Sequence, residues 1–368
     1  MRPSLTTPFH RHYILLGLTG GRVQLHEQER KARDSSSDSS DATTMPTFLQ
    51  QRLQPPPPAA TADKGSAAVP HLVVYRPTDN FVLTRGASWR LPLAAPTTAA
   101  EGWRAGCYPL LDLREAAYVG EDRATVPPQH LFATAPANVD PEYLAAEGAT
   151  WVPARALLES SPATDAAALA LCLSTVSWLT AAPFCSRCGA ATAVTDYGHT
   201  RTCRACPHVY HPPVSPAVIV AVLDGKGHVL LSERHPPAGR PAPARPMRTI
   251  LAGFVSQGEA AEETVVREVA EESQAAVTAL RYVGSQPWPF PHQLMLCYYA
   301  VAPDSPELAP ELAELASVAW VSKEEVRRAL AGTHEEFVVP PPFTAAHRLL
   351  TDWVEGKVDD QGEPCGKL

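Results

Sequence analysis

The chain has 368 residues and 45% hydrophobic content, enough to bury a large core and more readily divided into two domains than packed as one. Its 31 basic and 39 acidic residues leave a formal net charge of −8, so there is no basic footprint for duplex nucleic acid and nothing to attract an acidic membrane surface. Eight cysteines in so long a chain are too few for a disulfide scaffold, which points to a reducing compartment.

Residues 1–70 include SSSDSSD (35–41) and the four prolines Pro55 to Pro58. Such a composition cannot bury enough apolar surface to offset chain entropy, so a disordered or targeting segment is expected, with Met45 an alternative start. The opening MRPSLTTPFHRHYILLGLTGG lacks a full secretory pattern. Residues 71–180 carry short β-like runs, HLVVY (71–75) and NFVLT (80–84), between Pro and Gly breaks, and predict a small mixed α/β domain. Asp165 is placed to cap a helix running to about Ala181, with Leu169, Leu171, Leu173, Val176 and Leu179 as its apolar body. Ser174, Thr175, Ser177 and Thr180 interrupt that stretch, which therefore reads as a packed helix; no membrane span is expected.

Residues 181–213 hold two C-x-x-C pairs, Cys185/Cys188 and Cys203/Cys206, with fourteen residues between them. A two-residue spacer lets both thiolates of a pair reach one ion, and four thiolates close a tetrahedral shell, so one structural Zn²⁺ per chain is expected. Unligated core cysteines or a redox pair are the alternatives. His208 and His211 follow closely and are left out, because four sulfurs suffice. The loop between the pairs has one arginine and few aromatics, which favours a scaffold over a nucleic-acid grip.

Residues 214–355 read as a second domain, followed by a tail over 356–368. The run AVIVAV (217–222), the turn DGKGH and the run VLLS (229–232) predict a hairpin, and further strands are expected at Leu294 to Val301 and Val318 to Val321. Between them lies an acidic helix, giving an α/β arrangement with mixed strands. In GFVSQGEAAEETVVREVAEES (253–273), Glu268, Glu271 and Glu272 stand at i, i+3 and i+4 and share a helix face; Val266, Val269, Ala270 and Ser273 are assigned to the opposite one. Like charges at that spacing destabilise a helix unless cations compensate, and hard oxygen donors favour Mg²⁺ or Mn²⁺. A solvated acidic face is the alternative reading.

The same segment resembles the Nudix box, G-x5-E-x7-R-E-U-x-E-E-x-G-U, with Gly253, Glu259, Arg267, Glu268, Val269, Glu271 and Glu272 in register. It departs at Gln274, where the pattern has a helix-ending glycine, and at Ala275. The resemblance implies a Nudix α/β/α sandwich with a mixed sheet, preceded by a zinc ribbon and a small N-terminal mixed α/β domain. It also implies that Glu268, Glu271 and Glu272 hold the metals and that Glu271 or Glu272 activates water. Arg267 would orient a carboxylate, its i+4 neighbour being Glu271, and Gly253 with Glu259 would shape the loop.

SQPWPFP (285–291) places Trp288 and Phe290 among three prolines that stiffen the loop, leaving aromatic faces for a base or a nicotinamide ring. Zinc ribbon, Nudix box and SQPWPFP, in that order, resemble the NADH pyrophosphatase family over about residues 165–350. That resemblance implies hydrolysis of NADH or NAD⁺ to nicotinamide mononucleotide and AMP, with removal of NAD caps from RNA 5′ ends as the same chemistry on a longer substrate. It carries substrate contacts to Phe254, Trp288, Met295 and Ala346, an added metal-binding glutamate to Glu314, and a homodimer to the assembly. Gln293 stands where the family has serine. His211 stands before Pro212 where it has tyrosine, and Tyr210 is one place earlier. An inactive Nudix-fold module that senses a dinucleotide is the alternative. The terminal Gly366-Lys367-Leu368 resembles a peroxisomal address read by an import receptor, so a peroxisome-type organelle or the cytoplasm is expected.

Overall fold

A computed structural model describes residues 69–92, 116–122, 129–145, 148–237, 239, 241–303 and 307–365. The expected N-terminal disorder and the terminal tripeptide lie outside these residues. The described residues divide into two compact units, one drawn from 215–286 and 294–365, the other from 69–214 and 287–293.

In the second of these units, β1 (Val69–Arg76), β2 (Phe81–Arg85), β3 (Leu91–Pro92), β4 (Ala117–Asp122), β5 (Gln129–Thr134) and β6 (Ala149–Pro153) form one sheet in the order β4-β5-β1-β2-β6, with β3 paired to β1. It is a mixed sheet: β1 runs parallel to β5 and antiparallel to β2 and β3. Leu72 and Val74 pack with Leu83, Leu91 and Phe132 on one face, whereas Val73 and Tyr75 are buried on the other, the two-sided burial expected of an uninterrupted apolar run. Two short helices, α1 (Pro141–Leu144) and α2 (Ala154–Ser160), precede the long α3 (Ala163–Ala181), which packs on β1, β4 and β5.

The N-terminus of α3 corrects the sequence reading. The helix starts two residues before Asp165, with Pro162 at its cap position and no side-chain cap. Asp165 instead sits in the first turn and forms an ion pair with Arg90. A capping pattern is local, whereas a partner 75 residues away in sequence is visible only after folding. No described helix is long and apolar enough to cross a membrane.

The ribbon strands β7 (Thr192–Thr195), β8 (Thr200–Cys203) and β9 (Val209–Tyr210) form an antiparallel sheet after α3. Arg201, 3% exposed, fastens it to the helix: Nε donates to Thr192 Oγ1 at 2.7 Å and Nη1 to the Leu179 carbonyl at 3.1 Å.

The other unit contains β10 (Ser215–Leu223), β11 (His228–Arg234), β12 (Arg248–Thr249), β13 (Leu251–Phe254), α4 (Ala261–Ser273), β14 (Ala279–Trp288), β15 (Gln293–Val301), β16 (Leu315–Ser322), α5 (Lys323–Leu330) and α6 (Ala345–Val354). Its seven strands run β12-β11-β10-β15-β14, with β13 on β10 and β16 on β11. Alternation along β10 builds the sandwich. Ile219, Ala221 and Leu223 pack on the face carrying α5 and α6, with Val326, Leu349 and Trp353. Val218, Val220 and Val222 pack on the opposite face with Val265 and Val269 of α4. A strand covered on both sides has no polar face to show, which is why AVIVAV reads as a continuous apolar run.

Helix α4 ends at Gln274, whose φ of 60° and ψ of 12° are left-handed. The chain makes the turn that the pattern assigns to glycine and bears the strain of a side chain there, a cost of about 1 kcal/mol. Gln274→Gly should therefore raise stability by roughly that amount, seen as a higher midpoint in thermal unfolding followed by circular dichroism.

Candidate functional site

The carboxylate helix is oriented differently from the simple wheel drawn on the sequence. Val265, Val269 and Ser273 are fully buried, Glu272 is 4% exposed beside them, and Val266, assigned to the side opposite the glutamates, is 40% exposed. The buried stripe thus runs through Val265, Val269, Glu272 and Ser273, and Ala270 is exposed with Val266. Val265 and Val269 fit into the core with the residues of β10 and β13, which sets this orientation. Glu268 and Glu272 are thereby carried to the edge of the apolar core, and Glu271 remains in solvent.

Two residues fix the geometry at that edge. Gly253, on β13 opposite Val218, leaves room for the Glu268 carboxyl: a Cβ there would lie 1.9 Å from Glu268 Cδ. Arg267 gathers the acids. Its Nε and Nη2 bind both oxygens of Glu259 at 2.8 and 2.9 Å, Nη1 reaches Glu268 at 2.8 Å and Glu271 at 2.9 Å, and Nη2 also donates to the Phe254 carbonyl at 3.0 Å. Glu259 in turn accepts from the Ser256 amide at 3.1 Å and Thr264 Oγ1 at 2.9 Å, so the loop between β13 and α4 is held by one bidentate pair. At the head of the helix Glu263 accepts from the Ala260 amide at 2.9 Å.

These contacts divide the carboxylates electrostatically. The Arg267 guanidinium holds the Glu259 carboxyl down at about 2. Burial pushes Glu272 up to about 7, reinforced by the negative charges of Glu268 and Glu314 and opposed by Arg234. Burial also raises Glu268, again with a contribution from Glu314. Glu272 Oε2 is buried and has no hydrogen-bond partner. Keeping such a carboxylate ionised at neutral pH costs about 3 kcal/mol relative to water. A cation beside it would offset that cost. An orphaned carboxylate oxygen on Glu272 and a second carboxylate, Glu268, seated against a glycine are hard oxygen donors, the type that suits a divalent ion.

The cysteines form the one gathered cluster of metal-ligand type among the described residues, with all four sulfurs within 4.8 Å of one another. Cys185 and Cys206 sulfurs are 3.7 Å apart and those of Cys188 and Cys203 are 3.5 Å apart. These separations are close to the ~3.8 Å edge of a tetrahedron with metal–sulfur bonds of about 2.3 Å, so the cluster could hold zinc. The amides of Ala205 and Cys206 each donate to Cys203 Sγ at 3.3 Å. Tyr210 turns inward, its hydroxyl bonded to Ser186 and lowering the Cys185 thiol, while His211 next to it is exposed.

The remaining assigned residues are dispersed. Phe254 ends β13 and is 54% exposed, and Glu314 is exposed in the turn before β16. Met295 is partly buried and Ala346 is 2% exposed, both in the core on the α6 face, on the other side of the sheet from α4. Trp288 and Phe290 meet edge to face with centroids 5.5 Å apart, and Gln293 opens β15. Sequence reasoning missed Gln286. Only 3% exposed, it donates through Nε2 to the Phe343 carbonyl at 2.8 Å and accepts from the Ala345 amide at 2.7 Å, tying the end of β14 to the start of α6. Its sole signal in the sequence is its position inside SQPWPFP.

Parts of the chain are similar to known proteins. Residues 213–339 match the NUDIX domain. The human "NAD(P)H pyrophosphatase NUDT13, mitochondrial" is 37% identical over 204 residues, 52% of this chain and 56% of that protein. The "NAD-capped RNA hydrolase NudC" of Pectobacterium carotovorum is 37% identical over 171 residues, 46% of this chain and 59% of the relative, and human "NAD-capped RNA hydrolase NUDT12" is 35% identical over 201 residues, 52% and 42%. The chain spans less than two thirds of the length of each of these relatives. A solved NUDIX hydrolase from Nitrosomonas europaea aligns at 22% identity with a TM-score of 0.38, covering 50% of this chain and 96% of that one. Residues 213–339 are thus a Nudix domain, the domain of the Nudix hydrolases, which use divalent metals. About half of the chain is similar to proteins named NAD(P)H pyrophosphatase and NAD-capped RNA hydrolase.

Two outcomes test the site. Because Glu259 has a folded pKa near 2, below its ordinary 4.5, its contribution to stability is complete above about pH 4.5 and fades as pH falls through 2. Glu259→Gln should therefore lower the thermal midpoint near neutral pH, the gap from wild type closing as pH falls toward 2 in a melting series. Cys206→Ser should lower zinc content, measured by elemental analysis, and lower the thermal midpoint together with it.

Proposed function

We propose that this protein hydrolyses the pyrophosphate bond of NADH or NAD⁺ to nicotinamide mononucleotide and AMP, and that it acts in the same way on NAD-capped RNA 5′ ends. The observation that carries the reading is the buried Glu272 carboxylate, one oxygen of which has no hydrogen-bond partner, on the same Nudix helix as Glu268. The names borne by the relatives support the substrate class.

In this reading Glu268, Glu271, Glu272 and Glu314 hold Mg²⁺ or Mn²⁺, and Cys185, Cys188, Cys203 and Cys206 hold one structural Zn²⁺. The bound divalent ion would polarise the phosphoryl oxygens, acidify water and neutralise the leaving oxygen. Water adds to one phosphorus, its proton passes to a carboxylate, and the bridging oxygen leaves with the other phosphate. Glu272 suits the proton-accepting role better than Glu271, because Arg267 already occupies the Glu271 carboxylate whereas Glu272 has a free oxygen and a raised pKa. Arg267, Glu259 and Gly253 keep the carboxylates in register. Phe254, Met295 and Ala346 are the substrate contacts proposed in the Nudix unit, Met295 and Ala346 as packed floor, and Trp288 and Gln293 are those proposed in the other unit. The assembly is a homodimer, located in a peroxisome-type organelle or the cytoplasm.

The test is release of AMP and nicotinamide mononucleotide from NADH, NAD⁺ and NAD-capped RNA with Mg²⁺ or Mn²⁺. Glu272→Gln should retain the circular dichroism spectrum and lose turnover by roughly 100-fold or more. Failure of folded, zinc-loaded wild type to cleave any of the three would replace the hydrolase with a dinucleotide-binding module.

A further inference from the structure

Side chains along β11 alternate between the two faces of the sheet in the Nudix unit. Val229 and Leu231 pack on the side of α5 and α6, whereas Leu230 packs on the side of α4. The same alternation carries Ser232, 3% exposed, and then Arg234 to the α4 side, while Glu233 turns the other way and pairs with Arg248 at 3.6 Å. Register across the ladder agrees: Leu230 lies opposite Trp320, Ser232 opposite Val318 and Arg234 opposite Leu315, and all three partners pack in the α4-side core. The register shift after Glu233 passes over Ala316, which keeps Leu315 on that side and sets Arg234 beside the residue that follows Glu314. His235 donates from Nε2 to the Leu312 carbonyl at 3.0 Å, tying the chain that leaves β11 to the turn that carries Glu314.

Arg234 therefore stands, exposed, at the rim of the acidic site. Its positive charge opposes the burial that raises the Glu272 carboxyl. Yet its guanidinium forms no hydrogen bond or ion pair among the described residues. Arg267 is the opposite case: all five of its N–H groups go to Glu259, Glu268, Glu271 and the Phe254 carbonyl, so none is left for a substrate. A pyrophosphate brings negative charge to a site already crowded with carboxylates, and an ionised carboxylate offers a phosphate oxygen no donor. A free guanidinium does, with two parallel N–H groups that match two oxygens of a phosphate.

We propose that Arg234 is a substrate-contacting residue whose guanidinium binds nonbridging oxygens of the pyrophosphate. This deepens the proposed function and rests on cleavage taking place at the carboxylates of α4.

The experiment compares Arg234 with Arg234→Gln and Arg234→Lys in two backgrounds, with Mg²⁺ present. Inorganic pyrophosphate is titrated against the otherwise unaltered chain. NADH is titrated in the Glu272→Gln background, where turnover is suppressed and Arg234 has no Glu272 charge to act through. Arg234→Gln is expected to raise both Kd values by about tenfold with the thermal midpoint unchanged. Arg234→Lys should recover part of the loss, because it keeps the charge without the planar fork. With Glu272 in place, kcat/KM for NADH should fall by at least as much. An unchanged Kd for NADH would mean that Arg234 acts only through the charge of Glu272 or not at all. A loss that comes with a lowered thermal midpoint and is not eased by lysine would make it a prop for the end of β11; either result overturns the proposal. A chain that binds pyrophosphate but neither binds nor cleaves NADH overturns dinucleotide hydrolysis, and the pyrophosphate titration still decides Arg234.

Discussion

The fork of Arg267 binds three carboxylates, Glu259, Glu268 and Glu271, while its remaining capacity goes to the Phe254 carbonyl. Acids crowded into one helical turn repel one another, and a helix of that composition would fray or swing its side chains apart without a fixed cation among them. Because the guanidinium is planar and permanently charged, it sets both the spacing of the carboxylates and the path of the loop from β13 into α4. A lysine could supply the charge but not the two parallel bonds to Glu259.

The charge that Arg267 leaves unneutralised lies where the apolar core meets the helix. Val265 and Val269 anchor α4 against β10 and β13, and that anchoring draws Glu272 out of water one turn further on. Stability and reactivity are thus coupled on a single helix: the same rotation that buries two valines desolvates a carboxylate and raises its affinity for a proton or a metal ion. Gly253 completes the arrangement from the strand side, since any side chain there would occupy the space of the Glu268 carboxyl.

The cysteine cluster follows another logic. Its ligands come from two tight turns and a short sheet, backed by the buried Arg201, and closed four-sulfur coordination has no open position for a reacting group. Tyr210 serves this scaffold through Ser186 and Cys185. Its exposed neighbour in the strand is Val209, because alternation along β9 turns successive side chains to opposite faces, and His211, just past the strand, is exposed as well.

Sequence by itself determined what depends on local spacing. The C-x-x-C pairs, the period of the apolar strands and the register of the Nudix box are properties of residues a few positions apart, and each is dictated by the repeat of a turn, strand or helix. The strands expected at Leu294 to Val301 and Val318 to Val321 accordingly appear as β15, one residue longer, and β16, which runs from Leu315 to Ser322 and is twice the expected length. Tertiary structure decided everything that depends on distant partners. Asp165 left the cap position for Arg90, Glu272 turned toward the core while Val266 and Ala270 faced solvent, Gln286 found the start of α6, and Arg155 came to rest on Trp288 and Phe290. A helix wheel fixes which residues are neighbours but not which way the wheel is turned; that angle is set by the volume of the core it packs against, and only folding supplies it.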